Sequence, residues 1–361
     1  MKPLKVLIIG PFPEPTTGLS LSNKIIYDGL SKTSNIRVSK INTSLKNFEE
    51  TVGSFSFKKA FYFLKLNLKA YKIFSNKIIY ITIGQSFFGI LKYAIFIFLS
   101  WLIRKEIIVH LHGNTLINTY NNSGKLKKLL LKSILSKTTK AIVLSNTLKA
   151  NFLPFVKKNK IYVLNNFVEN YLYLNDEEKN IKDYSFLKIV YLSNLMTEKG
   201  IFYFFDALND LNKKQINFQA RCAGHIDDSL KMSVTEKVNK INNLTYNGVV
   251  KGQEKKELLK WGNVFVFPSY LIEGLPLSIL EAMVTGNIII STRHDAISDY
   301  FNTSNMHFIN KQSKDDIVEK LLEVNKNLDK HKKMIIQNYE YTNQLKEQTF
   351  VKNLIKIIQY N

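Results

Sequence analysis

The chain has 361 residues, 45% hydrophobic and 22% charged; it can fill two cores of ordinary domain size and is too apolar for wholesale disorder. Its single cysteine, Cys222, excludes an internal disulfide framework and a cysteine-based zinc cluster. The net charge of +22 is lopsided: residues 1–167 carry 26 Lys/Arg against 5 Asp/Glu, residues 168–361 carry 25 against 24, and no acid stands between Glu106 and Glu169.

The first expected strand, Lys5–Ile9, holds an apolar run too short for a signal-peptide core and is ended by Gly10, Pro11 and Pro13, so the expected compartment is the cytoplasm. Further strands are expected at Arg37–Ile41, Lys77–Thr82, Ile107–Leu111, Ala141–Leu144 and Ile161–Leu164. Helix-period stretches separate them, among them Ser22–Leu30 and Lys125–Ser136. After the polar, acidic stretch Asn170–Ser185 the alternation restarts, with strands at Lys188–Leu192, Asn217–Cys222, Val264–Phe267 and Asn287–Ser291 and weaker ones near Leu244 and Met306. Helices are expected at Ile201–Leu211, Glu254–Trp261 and Ser278–Val284. Two such series predict an α/β chain of two doubly wound parallel-sheet domains, residues 1–167 and 168–343, with ligands in a cleft facing the carboxyl ends of the strands. The helical pattern of residues 344–361 is compatible with packing back on the first domain.

Two segments bear on the partner of the basic half. From Phe55 to Phe74, Lys58, Lys65, Lys69 and Lys72 recur at helical spacing beside Phe61, Leu64 and Leu68. Such a helix either lies in a lipid interface or is a solvated face; each lysine near an anionic leaflet adds about 1 kcal/mol. Phe87–Ile103 is apolar around nearly its whole circumference but carries Lys92, so a helix partly facing lipid fits better than a span. Zinc-finger spacing, RNP-like aromatics and basic-plus-heptad regions are missing, so an anionic membrane surface is expected rather than nucleic acid.

The strongest local signal runs from Phe265 to Met283. A buried strand ends at Phe267, a loop carries Glu273 and Gly274, and Pro276 suits the first turn of the next helix. Free N–H groups and partial positive charge at that helix start suit a phosphate. Glu281, five residues after Pro276, stands a turn deeper, where it can hold a ribose.

Glu273 and Glu281 reproduce the E-x7-E spacing of the retaining glycosyltransferases of family 4, which have the GT-B fold, and this stretch resembles theirs. Further matches fall in the family's order: Gly-Pro-Phe-Pro…Thr-Gly18, His-Leu-His112-Gly113, Ala-Ile-Val-Leu-Ser145, Val-Leu-Asn-Asn166, Leu-Ser-Asn194…Glu-Lys199-Gly200, Ala223-Gly224 and Asn-Gly248-Val-Val250. The resemblance implies a nucleotide-diphosphate sugar as donor, expected to be UDP-linked. Lys199 would neutralise the diphosphate, the backbone at Val250 would meet the base, and Glu281 would hold the ribose hydroxyls. Glu273 with the Gly274, Leu275, Pro276 and Leu277 backbone would grip the donor sugar. His112 would face the reacting sugar, and Gly18 would let the first loop approach closely.

Asn194 stands where the family usually has Arg, five residues before the Lys, so neutralisation leans on Lys199 and the helix start, with Arg293 a conceivable substitute. A second departure is Asn165-Asn166-Phe167 in place of Pro-Asn-Gly. An Asp-x-Asp pair for a metal-dependent transfer does not occur, so no metal is expected; a cation and a helix start can stabilise the departing charge. The expected activity is a metal-independent hexosyl or N-acetylhexosaminyl transfer (EC 2.4) with retention. Its acceptor is expected to be a glycan or lipid-linked saccharide of surface polysaccharide assembly, with the protein peripheral on the inner membrane face. The alternatives are a nucleotide-sugar epimerase of the same fold and a non-catalytic binding module.

Overall fold

The computed structural model describes residues 3–44 and 57–360; Phe55 and Ser56, the start of the expected basic helix, lie outside them. Two compact units result: Met1–Asn166 with Ile272–Leu275 and Glu347–Asn361, and Phe167–Leu271 with Pro276–Lys346. The first is built on β1 (Leu4–Gly10), β2 (Ile36–Asn42), β3 (Ile78–Thr82), β4 (Glu106–Leu111), β5 (Lys140–Val143) and β6 (Ile161–Val163). All pairs are parallel, in the order β2-β1-β3-β4-β5-β6. Its helices are α1 (Gly18–Ser31), α2 (Phe57–Asn67), α3 (Phe87–Leu91), α4 (Ala94–Leu102), α5 (Leu116–Asn121) and α6 (Lys125–Leu135).

The second unit carries β7 (Leu187–Leu192), β8 (Phe218–Ala223), β9 (Leu244–Tyr246), β10 (Val264–Phe267), β11 (Ile288–Thr292) and β12 (His307–Ile309). They too are parallel, ordered β12-β11-β10-β7-β8-β9. Its helices are α7 (Asp176–Asn180), α8 (Ile201–Lys213), α9 (Lys231–Lys240), α10 (Gly252–Trp261), α11 (Leu277–Val284), α12 (Asp295–Ser298), α13 (Lys314–Lys326) and α14 (Lys332–Thr342). A last helix, α15 (Glu347–Gln359), belongs to the first unit. It packs on α1, where a Cβ on Gly29 would collide with the Val351 side chain.

Every expected strand is present because parallel strands are covered on both faces and read as short continuous apolar runs. β3, β10 and β11 are buried at every residue. Helix α8 shows the complementary pattern, with Ile201, Phe204, Phe205, Leu208 and Leu211 buried at helical spacing.

The apolar stretch 87–103 departs from expectation. It is two helices, α3 and α4, separated at Lys92 and Tyr93, and among the described residues no helix is long and apolar enough to cross a membrane. The segment expected as one helix to Phe74 becomes α2 followed by a 3-10 turn, Leu68–Ile73. Leu66, Ala70 and Ile73 take its core side, and Phe61, Leu64 and Leu68 are left 63–76% exposed.

Each unit also closes helix ends with a buried lysine. In the second, the Lys182 ammonium donates to the carbonyls of Leu259 (3.1 Å), Lys260 (3.3 Å) and Thr285 (2.5 Å), the ends of α10 and α11. Burial, with Lys188 nearby, draws Lys182 below the ordinary lysine range, yet all three ammonium donors are used. In the first, Lys140 donates to Ile357 (3.0 Å) and Ile358 (3.3 Å) at the end of α15 and pairs with Glu106 at 2.5 Å. Helix C-termini carry partial negative charge and unpaired carbonyls, so a cation there answers both. Replacing Lys182 by Met preserves length, removes the lysine's bonds to the Thr285 and Lys260 carbonyls and leaves the Leu259 carbonyl to the Asn287 amide at 2.9 Å; we expect urea unfolding of the second unit to show a loss of about 1–3 kcal/mol, and a loss under about 0.5 kcal/mol would contradict this role.

Candidate functional site

In the second unit, β7 and β10 are neighbours although two βα repeats separate them in sequence; β8 and β9 build outward from one and β11 and β12 from the other. Such a switch in winding order is where open parallel sheets place a ligand crevice, at the carboxyl ends of the strands. The two loops leaving this pair are stitched together: the N–H groups of Tyr270 and Leu271 donate to the Glu198 carbonyl at 2.9 and 3.1 Å. The Tyr191 hydroxyl, on β7, donates to the carbonyls of Asn194 (3.3 Å) and Lys199 (3.2 Å). Gly200 turns with φ 76°, and a Cβ there would fall on the Pro268 carbonyl. Lys199 is therefore held, half-buried, against the end of β10, its ammonium 5.5 Å from the Phe267 ring centroid. Asn194 is exposed. Arg293 stacks on Phe308 of β12 at 4.1 Å, on the far side of β10 and β11 from the Asn194 loop.

Beyond β10, Pro276 forms the N-cap of α11 (φ −64°, ψ 126°), one position earlier than expected, and no side chain caps the helix. Leu277 is its first residue, and Ile279–Val284 are all buried. Glu281 among them is only 5% exposed. A carboxylate so placed needs a cation, and Lys255 of α10 supplies it: its ammonium lies 2.7 Å from Glu281 Oε1 and 2.7 Å from Glu169 Oε2. Burial pulls the Lys255 ammonium down, but the charges of Glu281 and Glu169 outweigh it and the net shift is upward. Tyr171 donates to the same Glu169 oxygen at 3.1 Å, and burial pushes its phenol up.

On the β8–β9 side, the Gly224 N–H donates to the Gly248 carbonyl at 2.8 Å and the Tyr246 hydroxyl to the Gly224 carbonyl at 2.8 Å. Gly224 adopts φ 141°, and a Cβ there would fall on the Ser193 carbonyl. This ties the ends of three strands together just before the half-buried Val250.

The other expected residues belong to the first unit. His112 follows β4, its ring 4.0 Å from that of His110, which is hydrogen-bonded through Nδ1 to the Tyr80 hydroxyl. Burial lowers the His112 pKa to about 4, so the ring is neutral near pH 7, and its Nε2 is buried with no hydrogen-bond partner. The loop carrying half-buried Glu273 is seated directly on this strand end. A Cβ on Gly274 would collide with the His112 carbonyl, and Asn166 Nδ2 donates to the Leu275 carbonyl at 2.5 Å. Gly18 is the exposed first residue of α1, behind a capping box in which Thr17 and Ser20 bond reciprocally. Its strand, β1, is separated from β4 by β3. Among the described residues no group of three or more His, Cys, Asp or Glu is placed to hold a metal ion.

Glu169 and Lys255 are the members of the Glu281 cluster that sequence reasoning missed. A lysine near the start of a helix sits unfavourably in the helix dipole; that misplacement at Lys255, a turn into α10, was the available signal.

Residues 174–341, within the second unit, match the family model described as glycosyl transferases group 1. No curated protein matches the chain. Among solved structures, Anabaena Alr3699/HepE in complex with UDP and glucose superposes with a TM-score of 0.75 at 13% identity, over 99% of this chain and 100% of that one. Sucrose-phosphate synthase from Thermosynechococcus elongatus gives 0.75 at 12% identity, covering 99% and 98%. A glycosyltransferase from Rickettsia africae ESF-5 gives 0.74 at 15% identity, covering 100% of both. The chain has the GT-B fold of these proteins.

The His112 ring makes stability depend on pH. The unfolded chain takes up this proton near pH 6.5 and the folded chain near 4, so stability is level above pH 6.5 and falls by up to about 3 kcal/mol as pH drops through that window. Urea titrations from pH 7 to 4.5 should show a shallower fall in His112→Gln; an unchanged slope would contradict the buried neutral ring.

Proposed function

We propose that the protein is a retaining, metal-independent glycosyltransferase of family 4 that moves a hexosyl or N-acetylhexosaminyl group from a UDP-sugar to a membrane-associated or lipid-linked saccharide. The observation that carries this reading is the β7–β10 pair. It holds Lys199 on one loop and the uncapped start of α11 on the next, with the buried acid Glu281 about 6–7 Å further along the helix axis. An ammonium and a helix start suit a diphosphate, and an acid at that spacing suits the ribose. The match of residues 174–341 to glycosyl transferases group 1 supports the donor half of the reading, and the UDP and glucose held by Anabaena HepE support a uridine donor.

In this reading the bond from the anomeric carbon to the diphosphate oxygen breaks, and its electron pair stays on the phosphate. Lys199 and the α11 N–H groups stabilise that charge as it develops. The acceptor hydroxyl bonds to the same face of the anomeric carbon and passes its proton to the departing oxygen, so configuration is retained. Val250 meets the base through its backbone, and Glu273 with the backbone of Gly274–Leu277 grips the sugar. His112, a neutral imidazole, hydrogen-bonds the reacting sugar without adding charge. Asn194 contributes a hydrogen bond in place of the charge an Arg would bring.

The first unit supports a membrane-held acceptor. The 3-10 turn Leu68–Ile73 packs on α4, and α3 and α4 pack on α6. These adjoining elements leave Leu68, Tyr71, Trp101, Leu102 and Leu126 in solvent. Lysines are interleaved with them, and Lys137 stands 3.9 Å over the Trp101 ring. Apolar side chains ringed by cations suit an anionic lipid interface on the inner membrane face, the site of surface polysaccharide assembly.

Thermal-shift screening with nucleotides and nucleotide sugars tests the donor site. UDP and one UDP-sugar should raise the melting temperature, and Lys199→Ala should remove most of the shift; a panel with no uridine response would overturn the assignment. Vesicle sedimentation tests the surface. Binding should require anionic lipid, weaken with salt and drop several-fold in Trp101→Ser. Equal binding to neutral vesicles, or preference for RNA over vesicles, would contradict it.

A further inference from the structure

We infer that Lys255 is a positioning residue that sets Glu281 to read the ribose of the nucleotide, and that Glu169 holds Lys255 in place to do so. The inference rests on the reading of Glu281 as the ribose acid.

Lys255, Glu169 and Glu281 lie on separate parts of the second unit: a turn into α10, just after the start of the unit, and midway along α11. Their side chains are 12%, 15% and 7% exposed, so the cluster is largely desolvated. In such surroundings one ammonium between two carboxylates is bound far more firmly than a surface ion pair. The cluster keeps a net charge of −1. Glu281 gives only Oε1 to the lysine, and its Oε2 makes no hydrogen bond among the described residues. That oxygen keeps full acceptor capacity, and a carboxylate fixed through one oxygen presents the other at a set angle.

Vicinal hydroxyls are donors that need such an acceptor. A free glutamate on a helix would lose rotamer entropy on taking them up, whereas Glu281 has already lost it to Lys255. Glu169 supplies the second anion that keeps Lys255 ionised and aimed. Without it, the ammonium would follow Glu281 alone, and the geometry of the open oxygen would no longer be fixed from outside α11.

The consequence is selectivity for the 2′-hydroxyl. A site built to accept a hydroxyl's hydrogen bond rejects the analogue lacking it far more strongly than an unstructured contact does. The experiment is titration calorimetry of UDP and 2′-deoxy-UDP against the wild type, Lys255→Met, Lys255→Arg and Glu169→Gln, with a melting curve for each. The wild type should prefer UDP by roughly tenfold or more. Lys255→Met should lose most of that preference through weaker UDP binding, with 2′-deoxy-UDP little changed. Lys255→Arg should restore it, and Glu169→Gln should fall between.

A merely structural lysine would weaken both ligands alike or lower only the melting temperature, and either result overturns the inference. So does tighter UDP binding in Lys255→Met, which would make the lysine a competitor for Glu281. If Lys255→Met does not fold, Glu169→Gln decides, since it leaves the Lys255–Glu281 pair in place: an unchanged ratio there overturns the inference. If the wild type binds UDP without preferring it to the deoxy form, the ribose role of Glu281 fails, and Lys255 is then not the residue at fault.

Discussion

Two strands far apart in the chain, β7 and β10, must lie side by side with their carboxyl ends level, and the proposed chemistry depends on that pairing. Their register is short, Val264 on Ile189 and Phe265 on Val190, and it is reinforced above the sheet by the Glu198 carbonyl, which takes two N–H groups from the loop after β10. A parallel sheet grown in both directions from this pair leaves the following loops nowhere to cross, so the crevice is a by-product of winding order. The Tyr191 hydroxyl and the tight turn at Gly200 then set where Lys199 can point.

The winding itself was readable from the chain. Runs such as Ile288-Ile289-Ile290 and Val264-Phe265-Val266-Phe267 have no solvent-facing residue, and only a strand covered on both faces demands that. The residues proposed for the donor site stood out for a different reason: Glu273 and Glu281 share one loop-and-helix segment and Lys199 sits in a short motif of its own, so the pattern that marks each is local. Glu281 needed more than spacing: its buried environment is completed by Lys255 and Glu169, residues 26 and 112 positions away in sequence, and no local pattern joins them. The break at Lys92 and Tyr93 was hidden for a similar reason. Uniform apolarity says that a segment is covered or oily, but not whether it is one helix or two.

Both units meet the same electrostatic difficulty in the same way. Parallel α/β packing points helix C-termini toward the amino ends of the strands, where their carbonyls are removed from water. Lys182 and Lys140 each reach in to satisfy several of them. Such lysines count toward the formal charge but not toward the surface field, since their ammonium groups are consumed inside. In the basic first unit, Lys140 is committed in this way while Lys65, Lys69 and Lys137 are not; the field available to an anionic partner comes from the latter set.

The same Lys140 arrangement bears on how the chain tolerates trimming. Its two carbonyl partners come from Ile357 and Ile358, so removing the last turn of α15 would take both from an ammonium more than two hundred residues upstream, on β5, and leave only Glu106 to answer it. A dozen seemingly peripheral residues thus act as a cork in the floor of the first sheet, and a tag or cleavage site placed there intrudes on the interior as well as on the tail.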